Sequence, residues 1–474
     1  MILALDQGTT STRALIAGED GRLTPVLNRE HRQIYPRPGW VEHDPEELIA
    51  HLAACIEASL PHAPRAIGID NQGESCLAWD AGTGRALTPV IVWQDARTEE
   101  TCARLKADGA EDLSLARAGL PLDPYFSASK LGWVLRHVPE AAALARGGRL
   151  RLGTTDAFFL DRLAGTFATD VTTASRTGLM NLQTLSWDAD LCALHGVPAE
   201  ALPPIRSTTG DFGAIRGIPV TASVTDQQAA LYGHGCRAAG DGKITFGTGA
   251  FALMLTGGLD RSRAGCLPTV AWQLRGEPPV YALDGGVYAA SSAVNWARGL
   301  GLFSGWDQIN GFARDSAIDA GLAFVPALAG LACPHWNRRA RGAWLGMGLE
   351  TSPADLMQAL LEGVAFRMAE VIEAMGAPAG HALSIDGGMT RNPWFCQTLA
   401  DTLQRPLTIA AEPELTAAGT AALAAQGAGL ELAPPPVGHR IAPRPVPGAA
   451  RRARFAAARH AVEGFAQAAT PDGT

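Results

Sequence analysis

Ile2-Leu3-Ala4-Leu5-Asp6-Gln7-Gly8-Thr9-Thr10-Ser11-Thr12-Arg13-Ala14-Leu15-Ile16-Ala17 opens the chain, and Ile244-Thr245-Phe246-Gly247-Thr248-Gly249-Ala250-Phe251-Ala252-Leu253-Met254-Leu255 repeats its form in the second half. Each reads as a strand, a turn of Gly and Thr, and a second strand. The match continues further along. In the first half a strand over 66–69 runs into Asp70-Asn71-Gln72-Gly73, and in the second a strand over 383–385 runs into Asp386-Gly387-Gly388-Met389. Strands alternate with helical stretches throughout, which predicts an α/β protein. The helical stretches with clear start signals are 45–60, after Asp44, and 355–375, after Ser352-Pro353. A third covers 393–403. Two similar halves with matched turns predict two related domains facing a cleft, over 1–232 and 233–474, with the crossover inside Gly233-His234-Gly235. A last helix over 449–468 and a frayed end are expected after it.

The chain has 474 residues, 47% hydrophobic and 18% charged, enough for two large cores without disulfide or metal staples. Its net charge is −8, and only Lys106, Lys130 and Lys243 are lysines. That balance argues against a nucleic-acid partner. No run of about 18 apolar residues is present, so no membrane partner is expected. The eight cysteines form no Cys-x-x-Cys pair and read as reduced thiols of a cytoplasmic protein.

A Gly turn followed by hydroxyl residues offers N–H and O–H donors to a phosphate, and Asp6 at the strand end suits Mg²⁺ held through water. The same residues also serve ordinary hairpins. Two such turns in two similar halves point to a nucleotide held between domains. The glycines of Asp386-Gly387-Gly388-Met389 allow a flat ligand to approach the backbone, as adenine or ribose would, or make a plain strand-to-helix turn. Asp226 ends the strand over 220–224, just before the crossover, where a carboxylate can accept a hydroxyl proton or simply cap a helix. Glu74, beside Gln72 and Gly73, and Trp93, beside Gln94 and Asp95, combine polar groups with a ring, the mixture that polyol and sugar sites use. Trp93 is equally suited to a core.

Longer motifs carry a resemblance. They are Tyr125-Phe126-Ser127-Ala128-Ser129-Lys130-Leu131-Gly132-Trp133-Val134, Gly342-Ala343-Trp344-Leu345-Gly346-Met347 with Asp355-Leu356 and Ala359-Leu360-Leu361-Glu362, Pro38-Gly39-Trp40-Val41-Glu42-His43-Asp44-Pro45, and Asp226-Gln227-Gln228-Ala229-Ala230-Leu231. In these, over 3–429, the chain resembles the FGGY carbohydrate kinases, most of all the branch that acts on glycerol. The resemblance implies two actin-like (ribonuclease H-like) ATPase domains around a cleft, with ATP and Mg²⁺ as cofactors. It implies a polyol or sugar substrate, first of all glycerol, and a homodimer or homotetramer. It implies phosphate contacts from Thr9, Thr10, Ser11 and Arg13. It places Gly247, Thr248, Ser291 and Asn295 on the phosphate and ribose side, and Gly388 and Asn392 at adenine. Ser291 and Asn295 stand where that branch usually carries Gly and Gln. Asp226 is implied as general base, Asp6 as the group that places Mg²⁺, and Glu74, Trp93, Tyr125, Gln227 and Phe251 as substrate contacts.

One departure bears on the substrate. That branch usually reads Asn-Gln-Arg-Glu where this chain reads Asn71-Gln72-Gly73-Glu74. Loss of a charged donor costs about 1.5–3 kcal/mol of binding, and the freed volume leads to an expected alternative: a longer polyol such as erythritol or threitol, or a ketose such as xylulose or ribulose. The bland outcome is that another Arg or a water fills the gap. An actin-like, nucleotide-dependent switch is the alternative of another class.

Overall fold

The structure is a computed structural model that describes residues 1–378 and 380–468. The expected frayed end lies outside the described residues.

Each half is built on a five-strand core of the same order. In the first half the strands are β1 (Ile2–Gln7), β2 (Ser11–Ala17), β3 (Leu23–Glu30), β4 (Ile67–Asn71) and β5 (Ile218–Thr225). They lie side by side as β3-β2-β1-β4-β5, and a short edge strand, Ala214–Ile215, makes six. β1 is antiparallel to β2 and parallel to β4, and β4 is parallel to β5. In the second half β6 (Gly242–Phe246), β7 (Ala250–Thr256), β8 (Val280–Val287), β9 (Leu383–Gly387) and β10 (Leu407–Ile409) follow as β8-β7-β6-β9-β10 inside a seven-stranded sheet. Both Gly-Thr turns are the hairpins of this repeated order, β1–β2 and β6–β7.

The central strands are almost wholly buried, as strands covered on both faces must be. Helix α1 (Pro45–Ser59) covers the first sheet. It starts where the sequence predicts: the Asp44 side chain accepts from the Glu46 N–H, and Pro45 fills the first turn. In the second half α3 (Ser291–Gly299) and α5 (Pro393–Leu403) pack on α4 (Pro353–Ala374), which Ser352 caps in the same manner. A separate four-stranded sheet (Glu42–His43, Val90–Ile91, Cys76–Asp80 and Leu150–Thr154), with one strand before β4 in the chain and three after it, carries the loops that hold Glu74, Trp93 and Tyr125.

Packing does not follow a single cut in the chain. α2 (Asp226–Gly233) leads from β5 toward the second half, and α6 (Leu415–Gly427), which comes from the second half, packs on α2, β1, β4 and β5 of the first. The two helices touch backbone to backbone: a Cβ on Gly419 would lie 1.8 Å from the Ala229 carbonyl, and one on Gly233 2.1 Å from the Leu415 carbonyl. Small residues make this crossing possible, and the resulting apolar core draws on both halves, from Ile2 and Leu15 to Leu423 and Ala424. Thr420 of α6 reaches the end of β4 and donates a 2.7 Å hydrogen bond to Asp70.

All eight cysteines are buried free thiols. No helix among the described residues is long and apolar enough to cross a membrane.

Candidate active site

Strand register brings the acidic residues together. Asp6 on β1 lies opposite Asp70 on β4, Asp70 lies opposite Val224, and Asn71 lies opposite Thr225, the last residue of β5. Asp226 follows at the first position of α2. Its backbone is fixed from the side, because the Thr225 N–H donates to the Thr172 hydroxyl at 2.9 Å.

A cavity of about 190 Å³ lies at Asp226, between the two sheets. Thr9, Glu74, Trp93, Tyr125, Asp226, Gln227 and Phe251 line it together. These seven come from six separate stretches of the sequence, and each is a site residue that the sequence predicts. Their contacts explain the arrangement. The Trp93 indole N–H donates to the Thr9 hydroxyl at 3.0 Å, and its ring meets Tyr125 edge-on at 5.4 Å. Gln227 is held through its carbonyl, which accepts from Lys243 Nζ at 2.5 Å, so its NH₂ is left for another partner. Lys243 is wholly buried, and burial lowers its pKa against the pull of Asp386, Asp226 and Asp284.

Charge is crowded here. Burial, with Glu74 adding to it, pushes the Asp226 carboxyl up to about 7, while the Gln227 N–H and Lys243 pull it back. A carboxylate poised there is suited to take a proton at neutral pH. Burial also raises Glu74, and the Arg176 guanidinium opposes it. Burial and then Asp6 raise Asp70 well above the usual carboxylate range, and its Oδ1 has no partner.

Arg176 and Asp284 also line the cavity, and the sequence alone points to neither. Arg176 Nε donates to Glu74 at 2.7 Å, and Nη2 lies 2.9 Å from Asp284. Asp284 sits in the middle of β8 between buried Leu283 and Gly285. A charge inside an apolar strand is the one signal that could have found it. Gly73 is different. It does not form part of the wall, and its φ of +74° is one that side-chain-bearing residues rarely adopt. A Cβ there would lie 3.1 Å from the Thr225 methyl.

A second cavity, of about 460 Å³, lies in the other half. Ser291, Asn295, Gly388 and Asn392 line it, with Trp306, Asn310 and Arg391 beside them. Asn392 has both ends of its amide engaged: the carbonyl caps the next helix at the Phe395 N–H, and the NH₂ donates to the Ile309 carbonyl at 2.8 Å. Asn392 therefore shapes this wall more than it offers free donors. The second hairpin adjoins this cavity, since the Ser291 N–H donates to the Gly247 carbonyl, and both Gly247 and Thr248 are exposed. The first hairpin is held from below: the Thr9 carbonyl accepts from the His31 ring and from the Gln33 amide. Thr10 is exposed and Ser11 half-buried. Neither lines either cavity, and Arg13 is bound to Asp6 and Glu414.

Among the described residues no three His, Cys, Asp or Glu side chains converge to hold a metal directly. The unpartnered oxygen of Asp70, beside Asp6 and close enough to Asp226 to raise its charge cost, marks a place where a hydrated cation would relieve the crowding. The donors present therefore fit a Mg²⁺ ion held through water.

The sequence and the fold are similar to those of known proteins. Residues 1–233 match the N-terminal domain of the FGGY family of carbohydrate kinases, and residues 242–428 match its C-terminal domain. The chain is 44% identical to the glycerol kinase of Alkalilimnicola ehrlichii, over 92% of this chain and 91% of that one. It is 44% identical to the glycerol kinase of Thermus brockianus over 98% of both. Among solved structures, Plasmodium falciparum glycerol kinase with ADP superposes with a TM-score of 0.91 at 30% identity, covering 98% of this chain and 97% of that one. The xylulose kinase of Rhodospirillum rubrum gives 0.86 at 26% identity, covering 98% and 99%. Matches to both domain types, across almost all of the fold that holds the two cavities, leave one family: the chain belongs to the FGGY family of carbohydrate kinases.

Proposed function

We propose that this chain transfers the γ-phosphoryl group of ATP to a terminal hydroxyl of glycerol, releasing glycerol 3-phosphate and ADP. The observation behind it is the small cavity at Asp226, about 190 Å³, whose wall mixes charged and amide groups with aromatic rings. A cavity of ~150 Å³ admits a single benzene ring, so this one suits an acceptor of a few carbons. The glycerol kinases at 44% identity supply the acceptor's name.

In this account Asp226 accepts the proton of the attacking hydroxyl, and Glu74 and Gln227 orient the acceptor. Trp93, Tyr125 and Phe251 cover its C–H faces. The hydroxyl oxygen bonds to the γ-phosphorus as the bond from that phosphorus to the β–γ bridging oxygen breaks, in line. Thr9, Thr10, Ser11 and Arg13 hold phosphates from one side, and Gly247 and Thr248 from the other. Ser291 and Asn295 face the ribose side, and Gly388 and Asn392 the adenine. Asp6 helps to hold Mg²⁺ through water, and that ion, when bound, offsets charge on the phosphates. Residues 1–232 are the substrate domain and 233–474 the nucleotide domain, with α6 crossing between them. Buried free thiols suit the reducing cytoplasm. A non-catalytic switch has no use for a substrate cavity built around a base.

A coupled ADP-release assay with MgATP, with phosphorus NMR of the product, tests this. One ADP per glycerol consumed and a new phosphomonoester signal are expected. ADP release indifferent to glycerol would overturn it.

A further inference from the structure

Arg176 is 4% exposed, yet one arm of its guanidinium has no partner. Nε serves Glu74 and Nη2 serves Asp284, whereas Nη1 is buried without a hydrogen-bond acceptor among the described residues. An arginine kept only to join two carboxylates would gain nothing from burying a third, unmet donor, because unmet buried donors are costly. Arg176 lines the acceptor cavity. That cavity leaves an acceptor unmet as well: Gln228 Oε1 is buried and unpartnered in its wall. A hydroxyl both donates and accepts, so a polyol answers both groups.

The guanidinium is also held in register with the base. Arg176 follows a short helix, Val171–Ser175, whose first N–H groups are capped by Asp170 at 2.9 Å. Thr172 of that helix takes the N–H of Thr225, the residue before Asp226. The Arg176 N–H itself closes on the Thr173 carbonyl. Burial opposes the charge on Arg176, and Glu74 and Asp284 more than restore it, so the group stays cationic. A charged, rigidly held donor in the wall is the kind that discriminates between acceptors, because an acceptor without the matching oxygen leaves it unmet.

We infer that Arg176 is a substrate-contacting, specificity-determining residue whose Nη1 donates to a hydroxyl of the acceptor other than the one phosphorylated, the contact for which Gly73 has no side chain. This rests on the polyol kinase reading and deepens it: the acceptor is a small polyol with a second hydroxyl set against Arg176.

The test compares kcat/KM for glycerol, propane-1,2-diol and propane-1,3-diol in the parent enzyme and in Arg176→Lys, which keeps a positive charge near Glu74 and Asp284 but gives up the third arm. In the parent, at least one diol should fall about 10- to 100-fold below glycerol. Arg176→Lys should lose a similar factor on glycerol and little on the diol that lacks the contacted hydroxyl, with ADP affinity by calorimetry unchanged. An equal loss on all three acceptors, or none on glycerol, overturns the inference. Arg176→Gln is the second variant. Should neither fold, the parent alone decides, since equal kcat/KM for all three acceptors excludes the contact. If the parent works on another polyol and not on glycerol, the glycerol assignment fails. The same comparison, run with that polyol and its deoxy analogues, then judges Arg176 separately.

Discussion

The hairpins β1–β2 and β6–β7 hold the same place in their sheets and have the same neighbours there, but they do not carry the same charge. At one position of the repeat the first hairpin carries Asp6, opposite Asp70 and Arg13, and the second carries Thr245, opposite Asp386 and Phe251. The first end adjoins a 190 Å³ cavity walled by carboxylates and a guanidinium, and the second adjoins a 460 Å³ cavity whose polar groups are chiefly amides, a hydroxyl and the Arg391 guanidinium, with no carboxylate among the described residues that line it. The duplicated fold supplies two equivalent strand ends, and the side chains placed there divide the work. Carboxylates at one end suit proton transfer. Exposed Gly247 and Thr248 at the other leave room for a ligand to approach the backbone.

The sharpest way to break this division is Asp226→Asn. It should lower kcat by about 10²- to 10⁴-fold while ADP affinity, measured by calorimetry, stays put. Appreciable turnover would remove Asp226 as the base. Next comes the crossing that joins the halves. Gly419→Ala places a methyl against the Ala229 carbonyl and should cost roughly 1–3 kcal/mol of stability, read as a lower Tm. An unchanged Tm would mean that α6 packs less closely on α2.

A smaller effect is expected from the other cavity. A Cβ on Gly388 would meet nothing within 4 Å, and the backbone there has an ordinary φ, so Gly388→Val should fold and intrude on the nucleotide. KM for ATP should rise about tenfold and KM for glycerol stay level. A change in glycerol KM alone would reverse the assignment of the two cavities. The smallest expected effect is a shift in pH dependence. The base must be deprotonated, so kcat/KM should fall as pH drops through about 7, where Asp226 takes up its proton. Lys243 lowers that pKa, so Lys243→Met should move the acid limb upward by roughly one pH unit. A downward shift would contradict the electrostatic role of Lys243.

Much of the division is legible in the sequence, since hairpins and strand ends are local. The two Gly-Thr turns, Asp226 after its strand and the caps at Asp44 and Ser352 all follow from short-range rules. Tyr125 and Phe251 are placed only through resemblance to a family. Arg176 lies 102 residues from Glu74, with no motif to single it out. The passage of α6 onto the first sheet is hidden by chain order. Its trace is compositional: Ala417, Ala418, Gly419, Ala421, Ala424 and Ala425 are small and buried, as a helix packed closely against its neighbours requires. Gly73 shows the limit most clearly. Its missing side chain is legible, but its left-handed backbone and the guanidinium of Arg176 in the wall are not.

The central claim is that the acidic end of the cleft is built for glycerol. The direct measurement is kcat/KM across glycerol, erythritol, both threitols, xylitol, ribulose and xylulose with MgATP. A clear maximum at glycerol is predicted. A maximum at a four- or five-carbon acceptor would contradict it and make Gly73, rather than Arg176, the residue that sets the substrate.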